Sequence, residues 1–152
     1  MEYLKQLQWE KIIDITKTPS GLFWPECPKQ FSTLYKQGVY RILVQDEQLI
    51  VRVRKNGIYG EGKKKGVNER INQYRSATNN LFEWRKGNKS NNGSFKTCDI
   101  LDKKLKNGQK AVMISARLPD NWINDKGLPC KIDLYEIEYD LKQQTLEEIW
   151  LT

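Results

Sequence analysis

The stretch Tyr59–Tyr74, YGEGKKKGVNERINQY, constrains this chain more than any other. Two glycines, Gly60 and Gly62, end an extended run and lead into three lysines, Lys63 to Lys65. A short helix follows, carrying Arg70 and, four residues on, Tyr74. Positions i and i+4 share one helix face, so arginine and tyrosine point the same way, back toward the lysine-rich turn. Just upstream, Gly38-Val39-Tyr40 opens another strand. Two tyrosines, a lysine and an arginine can thus converge on one phosphate group. A glycine-flanked lysine cluster before a helix suits a phosphate.

Charge supports a polyanionic partner. The formal charge is +7, and Arg52, Arg54, Lys55, Lys63, Lys64, Lys65, Arg70 and Arg75 gather in the middle of the chain. A second basic stretch runs from Arg85 to Lys110, whereas the chain from Lys131 onward is acidic. A basic middle fits nucleic acid. At 152 residues the chain has the size of one domain. No apolar run is long enough to cross a bilayer, and the first residues lack the order of a secretory signal. Cys27, Cys98 and Cys130 are odd in number and far apart, which fits neither a disulfide framework nor a metal clip. A reduced, cytoplasmic setting is expected. With no histidine, the commonest zinc ligand and general base is missing.

Residues 1–16 read as a helix, from the stripe Leu4, Leu7, Ile12 and Ile15 with Trp9. Prolines and a glycine then break the chain. GVYRILVQ (38–45) is a strand, a polar turn covers Gln45 to Gln48, and LIVRVR (49–54) is a second strand. Asn56-Gly57 signals a turn, with IYGEG as a third strand or the end of the second. Asn68 or Gly66 starts the helix that carries Arg70, which ends near Asn80. Leu81 to Trp84 is a short apolar patch, and 86–93 is a loop. Ser94 is the expected N-cap of a helix with Phe95, Cys98, Leu101 and Leu105 on one face, ended by Asn107-Gly108. AVMISARL (111–118) is a central strand, and 119–129 is a loop holding Trp122. The acidic segment 131–150 reads as a helix or a hairpin, the helix being preferred. The expected architecture is α/β (α+β): a small three-stranded mixed or antiparallel sheet flanked by helices. Residues 1–37 form an N-terminal extension (helix plus Pro-rich segment) on a domain spanning 38–152, compact as a whole.

GVY at 38–40, YGEGK at 59–63, Arg70 and Tyr74 together resemble the GIY-YIG nuclease signature, and the chain is most similar to its small type II restriction endonucleases. GSFKTCDILDKKLKNGQKAVMISARL is similar to the family's second helix and third strand, so the likeness covers roughly residues 38–141. The second motif is one residue longer than YIG, and the two motifs stand further apart than is usual.

The resemblance implies a metal-dependent endonuclease that hydrolyses phosphodiester bonds of double-stranded DNA. By carry-over, Tyr40 is the general base assisted by Lys63, Tyr59 helps position the water, and Arg70 holds the scissile phosphate. Tyr74 takes the place of the family's histidine. A tyrosine near its ordinary pKa of about 10 is a poor base unless a neighbouring cation favours the phenolate. One carboxylate would hold a single Mg²⁺ or Mn²⁺. Glu138 is the first choice, with Glu136 and then Glu83 behind it. Specific cutting implies DNA-reading insertions at 1–37, 85–93 and 119–129, and a homodimer. A repair or mobile-element nuclease is the nearest neighbour in that class. The competing expectation is a basic module that holds DNA or RNA without cutting. A third is a protein-interaction domain with an incidental basic surface.

Overall fold

β-Branched residues dominate Ile12-Ile13-Asp14-Ile15-Thr16. In the computed structural model they lie in strand β1 (Glu10–Thr18) rather than in the expected helix. Only Glu2–Gln6 turns, as one stretch of 3₁₀ helix. Leu4, Leu7, Ile12 and Ile15 fit a helical stripe in isolation, but pairing with a neighbouring strand overrides that period. The structure describes residues 2–32, 37–45, 51–60, 66–87 and 92–146. Lys63 to Lys65, the tip of the polar turn after Gln45 and residues 88–91 of the expected loop lie outside them.

After β1 come β2 (Gly21–Phe23), α1 (Lys29–Ser32), β3 (Gly38–Gln45), β4 (Val51–Tyr59) and α2 (Val67–Asn79). Then follow α3 (Leu81–Lys86), α4 (Gly93–Lys104), β5 (Lys110–Arg117), β6 (Trp122–Ile123), β7 (Pro129–Cys130) and α5 (Leu134–Leu146). The fold is mixed α and β. Its main sheet has five strands, not three, in the order β2-β1-β5-β3-β4, with every neighbouring pair antiparallel. β5 is central, as its apolar run requires. The N-terminal segment is built into the sheet, since β1 pairs with β5 from Thr16 opposite Lys110 to Glu10 opposite Ser115.

Helices cover both faces. On one, Val67, Ile71, Tyr74 and Ala77 of α2, with Cys98 and Leu101 of α4, pack on Ile15, Tyr40, Ile42, Val44 and Met113. On the other, Leu134, Ile137 and Leu141 of α5 pack with Val39, Ile58 and Ala116. Each fully buried aliphatic side chain contributes about 1.5–3 kcal/mol. The C-terminal segment is a helix because burial follows i, i+3, i+7, whereas a hairpin would bury Tyr139, which is 62% exposed. Asp133 caps it by accepting a bond from the Tyr135 amide at 3.1 Å.

Three local expectations are corrected. Asn56-Gly57 is no turn but lies inside β4, where Gly57 pairs with Tyr40. Gly66, not Asn68, stands at the start of α2. Asn92, not Ser94, caps α4, accepting the Ser94 amide at 2.8 Å. Within 119–129, Trp122 is buried in a two-stranded ribbon, edge-on to Tyr3 at 5.4 Å.

Candidate active site

Two glycine–tyrosine pairs face each other across β3 and β4. Gly38 stands opposite Tyr59, and Tyr40 opposite Gly57. Each tyrosine ring lies over the opposing glycine. A Cβ on Gly38 would fall 2.2 Å from the Tyr59 hydroxyl, and one on Gly57 would fall 2.3 Å from Cζ of Tyr40. The glycines therefore let two large rings lie flat on the sheet.

The two rings then part. The Tyr40 and Tyr74 hydroxyls meet at 2.7 Å, their rings edge-on. Trp24 stacks on the far side of Tyr74 at 4.9 Å. Burial, and then the neighbouring Tyr40, push the Tyr74 hydroxyl well above its usual pKa. Either hydroxyl can donate. Tyr59 instead shares a 2.7 Å bond with Ser115. Its pKa is raised by burial, a rise that the Ser115 bond opposes.

Tyr40, Tyr74 and Arg70 line one cavity of about 760 Å³, so the i, i+4 pair on α2 does share a direction with the β3 tyrosine. Arg70 donates from Nε to the Ile58 carbonyl at 2.9 Å and from Nη1 to Gln73 at 3.1 Å. These bonds tie the guanidinium to the end of β4. Tyr59 does not line the cavity. Lys63 lies outside the described residues.

A cation that the sequence pattern does not single out also lines this cavity. Lys55 of β4 lines the same cavity, as do Asn92, Gly93 and Ser94 at the start of α4. Its Nζ lies 3.8 Å from where a Cβ on Gly93 would stand. The ammonium is thus held at the positive end of a helix, the wrong end for a cation. Burial first, and then Lys142, lower its pKa; Glu138 opposes the shift and Arg70 adds to it. Two cations and a helix N-terminus around one cavity form a place that an anion would stabilise. The only sequence signal for Lys55 is its basic neighbourhood, because its direction depends on strand register.

Glu138 sits on α5, 3.7 Å from Lys142 and within electrostatic reach of Lys55. Of the three candidate carboxylates it is the one that acts on Lys55, but it does not line the cavity. Glu136 is exposed and acts on Tyr3, and Glu83 is exposed on α3. Among the described residues, no three His, Cys, Asp or Glu side chains come together to cage a metal. A lone carboxylate such as Glu138 fits only a cation that keeps most of its water, as Mg²⁺ does.

Comparison of the chain with protein-family models, curated proteins and solved structures returns no match. What the site can do is read from its own side chains.

Proposed function

We propose that the chain is a divalent-metal-dependent endonuclease of GIY-YIG type, hydrolysing phosphodiester bonds of double-stranded DNA. The observation that carries this reading is the single cavity shared by Tyr40, Tyr74, Arg70 and Lys55. A phosphate there would meet the Arg70 guanidinium, the Lys55 ammonium and the start of α4. Tyr40 takes the proton of the attacking water as the water oxygen bonds to phosphorus and the bond to the departing sugar oxygen breaks. Tyr74 steadies the Tyr40 phenolate by donating to it, and the cations around the cavity offset its negative charge. Arg70 and Lys55 stabilise the charge that builds on the non-bridging oxygens. A Mg²⁺ or Mn²⁺ held through Glu138 would supply further charge compensation. Tyr59 has its hydroxyl on Ser115, so its part is to tie β4 to β5 across β3. A sequence-specific double-strand cut, as in restriction, would call for two copies of the chain.

The test is digestion of plasmid and phage DNA with Mg²⁺, with EDTA, and with Arg70→Ala. Discrete bands are expected, lost with EDTA and reduced about 10²–10³-fold in the variant, the usual effect of removing one charge-stabilising donor. A smear would keep the nuclease and remove sequence specificity. Salt-sensitive DNA binding without any cutting would leave a binding module instead.

A further inference from the structure

The strand that delivers Lys55 to the cavity is irregular in a way that concerns the opposite end of α4. Ile42 pairs with Lys55, but Leu43 pairs with Val53, leaving Arg54 as the extra residue of a bulge. In a regular strand Arg54 and Lys55 would face opposite sides of the sheet. Here both turn toward α4, as does Arg52, which lies opposite Val44. Lys55 reaches the first residue of α4. Arg52 and Arg54 reach the other end, where they line a separate pocket of about 520 Å³ with Lys104 and Lys106.

Among the described residues no carboxylate lines that pocket; its other polar walls are Gln45 and Gln109. Lys104 is in the last turn of α4, where the helix end favours a cation. What the helix end does not explain is Nε of Arg54, on the bulge. This atom is buried and has no hydrogen-bond partner among the described residues. A buried donor left without an acceptor is costly, the more so when charged, so an acceptor arriving from outside would be favoured.

We propose that Arg52, Arg54, Lys104 and Lys106 form a second, non-catalytic phosphate pocket that grips the backbone of the bound nucleic acid. This rests on the nucleic-acid reading above. α4 has 12 residues, hence a length of about 18 Å at ~1.5 Å per residue. Phosphates of one DNA strand rise about 3.4 Å each along the axis. The two pockets are thus about five phosphate steps apart, within reach of one duplex. One helix and one bulged strand set that spacing rigidly.

The test is fluorescence anisotropy of a labelled 20-base-pair duplex, in EDTA, over a potassium chloride series. Lys104→Glu/Lys106→Glu changes two exposed side chains, so folding is preserved. Arg54→Gln is the second variant. Lys5→Glu/Lys126→Glu, of equal charge change but away from the pocket, is the control. The pocket variants are expected to bind at least tenfold more weakly. Their plot of log K against log salt should be shallower by about 1 for each phosphate they no longer hold, while the control keeps the wild-type slope. Equal slopes in wild type and pocket variants would overturn the proposal, as would an equal loss in the control. So would a wild type that binds no duplex but takes inorganic phosphate in an Arg54-dependent way, which would mark a small-anion pocket. A wild type that cuts DNA while the pocket variants bind normally would end this proposal and keep the nuclease. A slope change without any cutting in Mg²⁺ would do the reverse.

Discussion

Replacing Gly57 with alanine would place a methyl group 2.3 Å from Cζ, 2.4 Å from the hydroxyl and 2.5 Å from Cε1 of Tyr40. Ordinary contact begins near 3.4 Å, so the ring must withdraw by about 1 Å. It has little room, being 3% exposed and bonded to Tyr74 at 2.7 Å. Overpacking of this kind costs about 1–3 kcal/mol, and losing the hydroxyl pair adds about 0.5–1.5 kcal/mol. Opposing this, removing a glycine from a strand gains about 0.5–1 kcal/mol, and Gly57 is not among the glycines with positive φ. The strand propensity alone thus predicts stabilisation, whereas the structure predicts a net loss of about 2 kcal/mol. Urea unfolding followed by tryptophan fluorescence would show a midpoint lower by about 1 M at a typical slope of ~2 kcal/mol/M. In a Tyr40→Ala background the same glycine change should become neutral or stabilising. An unchanged or higher midpoint in the wild-type background would refute the reasoning, and so would an equal loss in both backgrounds.

Three further outcomes are expected. The Tyr74 pKa is raised above its ordinary value of 10.0, first by burial and then by Tyr40. The folded state therefore keeps a proton the unfolded chain gives up, and this contribution is lost as pH rises from 10 through the higher folded value. Tyr74→Phe should flatten the alkaline fall of the urea midpoint, with Tyr59 sustaining part of it. Asp102 bridges β1 to α3 by accepting bonds from Lys17 and from Arg85. Burial alone would raise its pKa, but these cations hold it below 3.8. Asp102→Asn should cost about 1.5–3 kcal/mol at pH 7. Its gap from wild type should close as pH falls below 3.8 through the folded value, read from thermal melts from neutral to strongly acidic pH. Lys55→Met should raise stability at neutral pH, because the pKa of Lys55 is lowered first by burial. The same variant should weaken binding and cutting of duplex DNA, and a gain in both stability and activity would contradict the anion site.

Local chemistry makes some of this legible in advance. The 3.6-residue period puts Arg70 and Tyr74 on one face of α2, and both line the cavity. Alternating and β-branched runs mark β3, the first half of β4 and β5, and the stripe Leu134, Ile137, Leu141 marks α5. The Asn-Gly step misleads because its turn preference is local, whereas Asn56 is held in the strand by its side-chain bonds. It accepts from Arg41 Nε at 2.9 Å and donates to the Leu141 carbonyl at 3.4 Å. The expected N-terminal helix fails for the same reason, since the partner of β1 lies about a hundred residues away, in β5.

What the sequence determined by itself was therefore periodic: which residues share a face of one helix or one strand, and a basic middle suited to phosphate. What only the tertiary structure decided was register. Sliding β3 against β4 by one residue would take Tyr40 off Gly57. Without the bulge at Arg54, Lys55 and Arg54 would face opposite sides of the sheet. Neither placement has a local signal, because strand pairing is set by the sum of contacts between segments distant in sequence. Those contacts fixed which tyrosine met Tyr74, and they brought Lys55 to the start of α4.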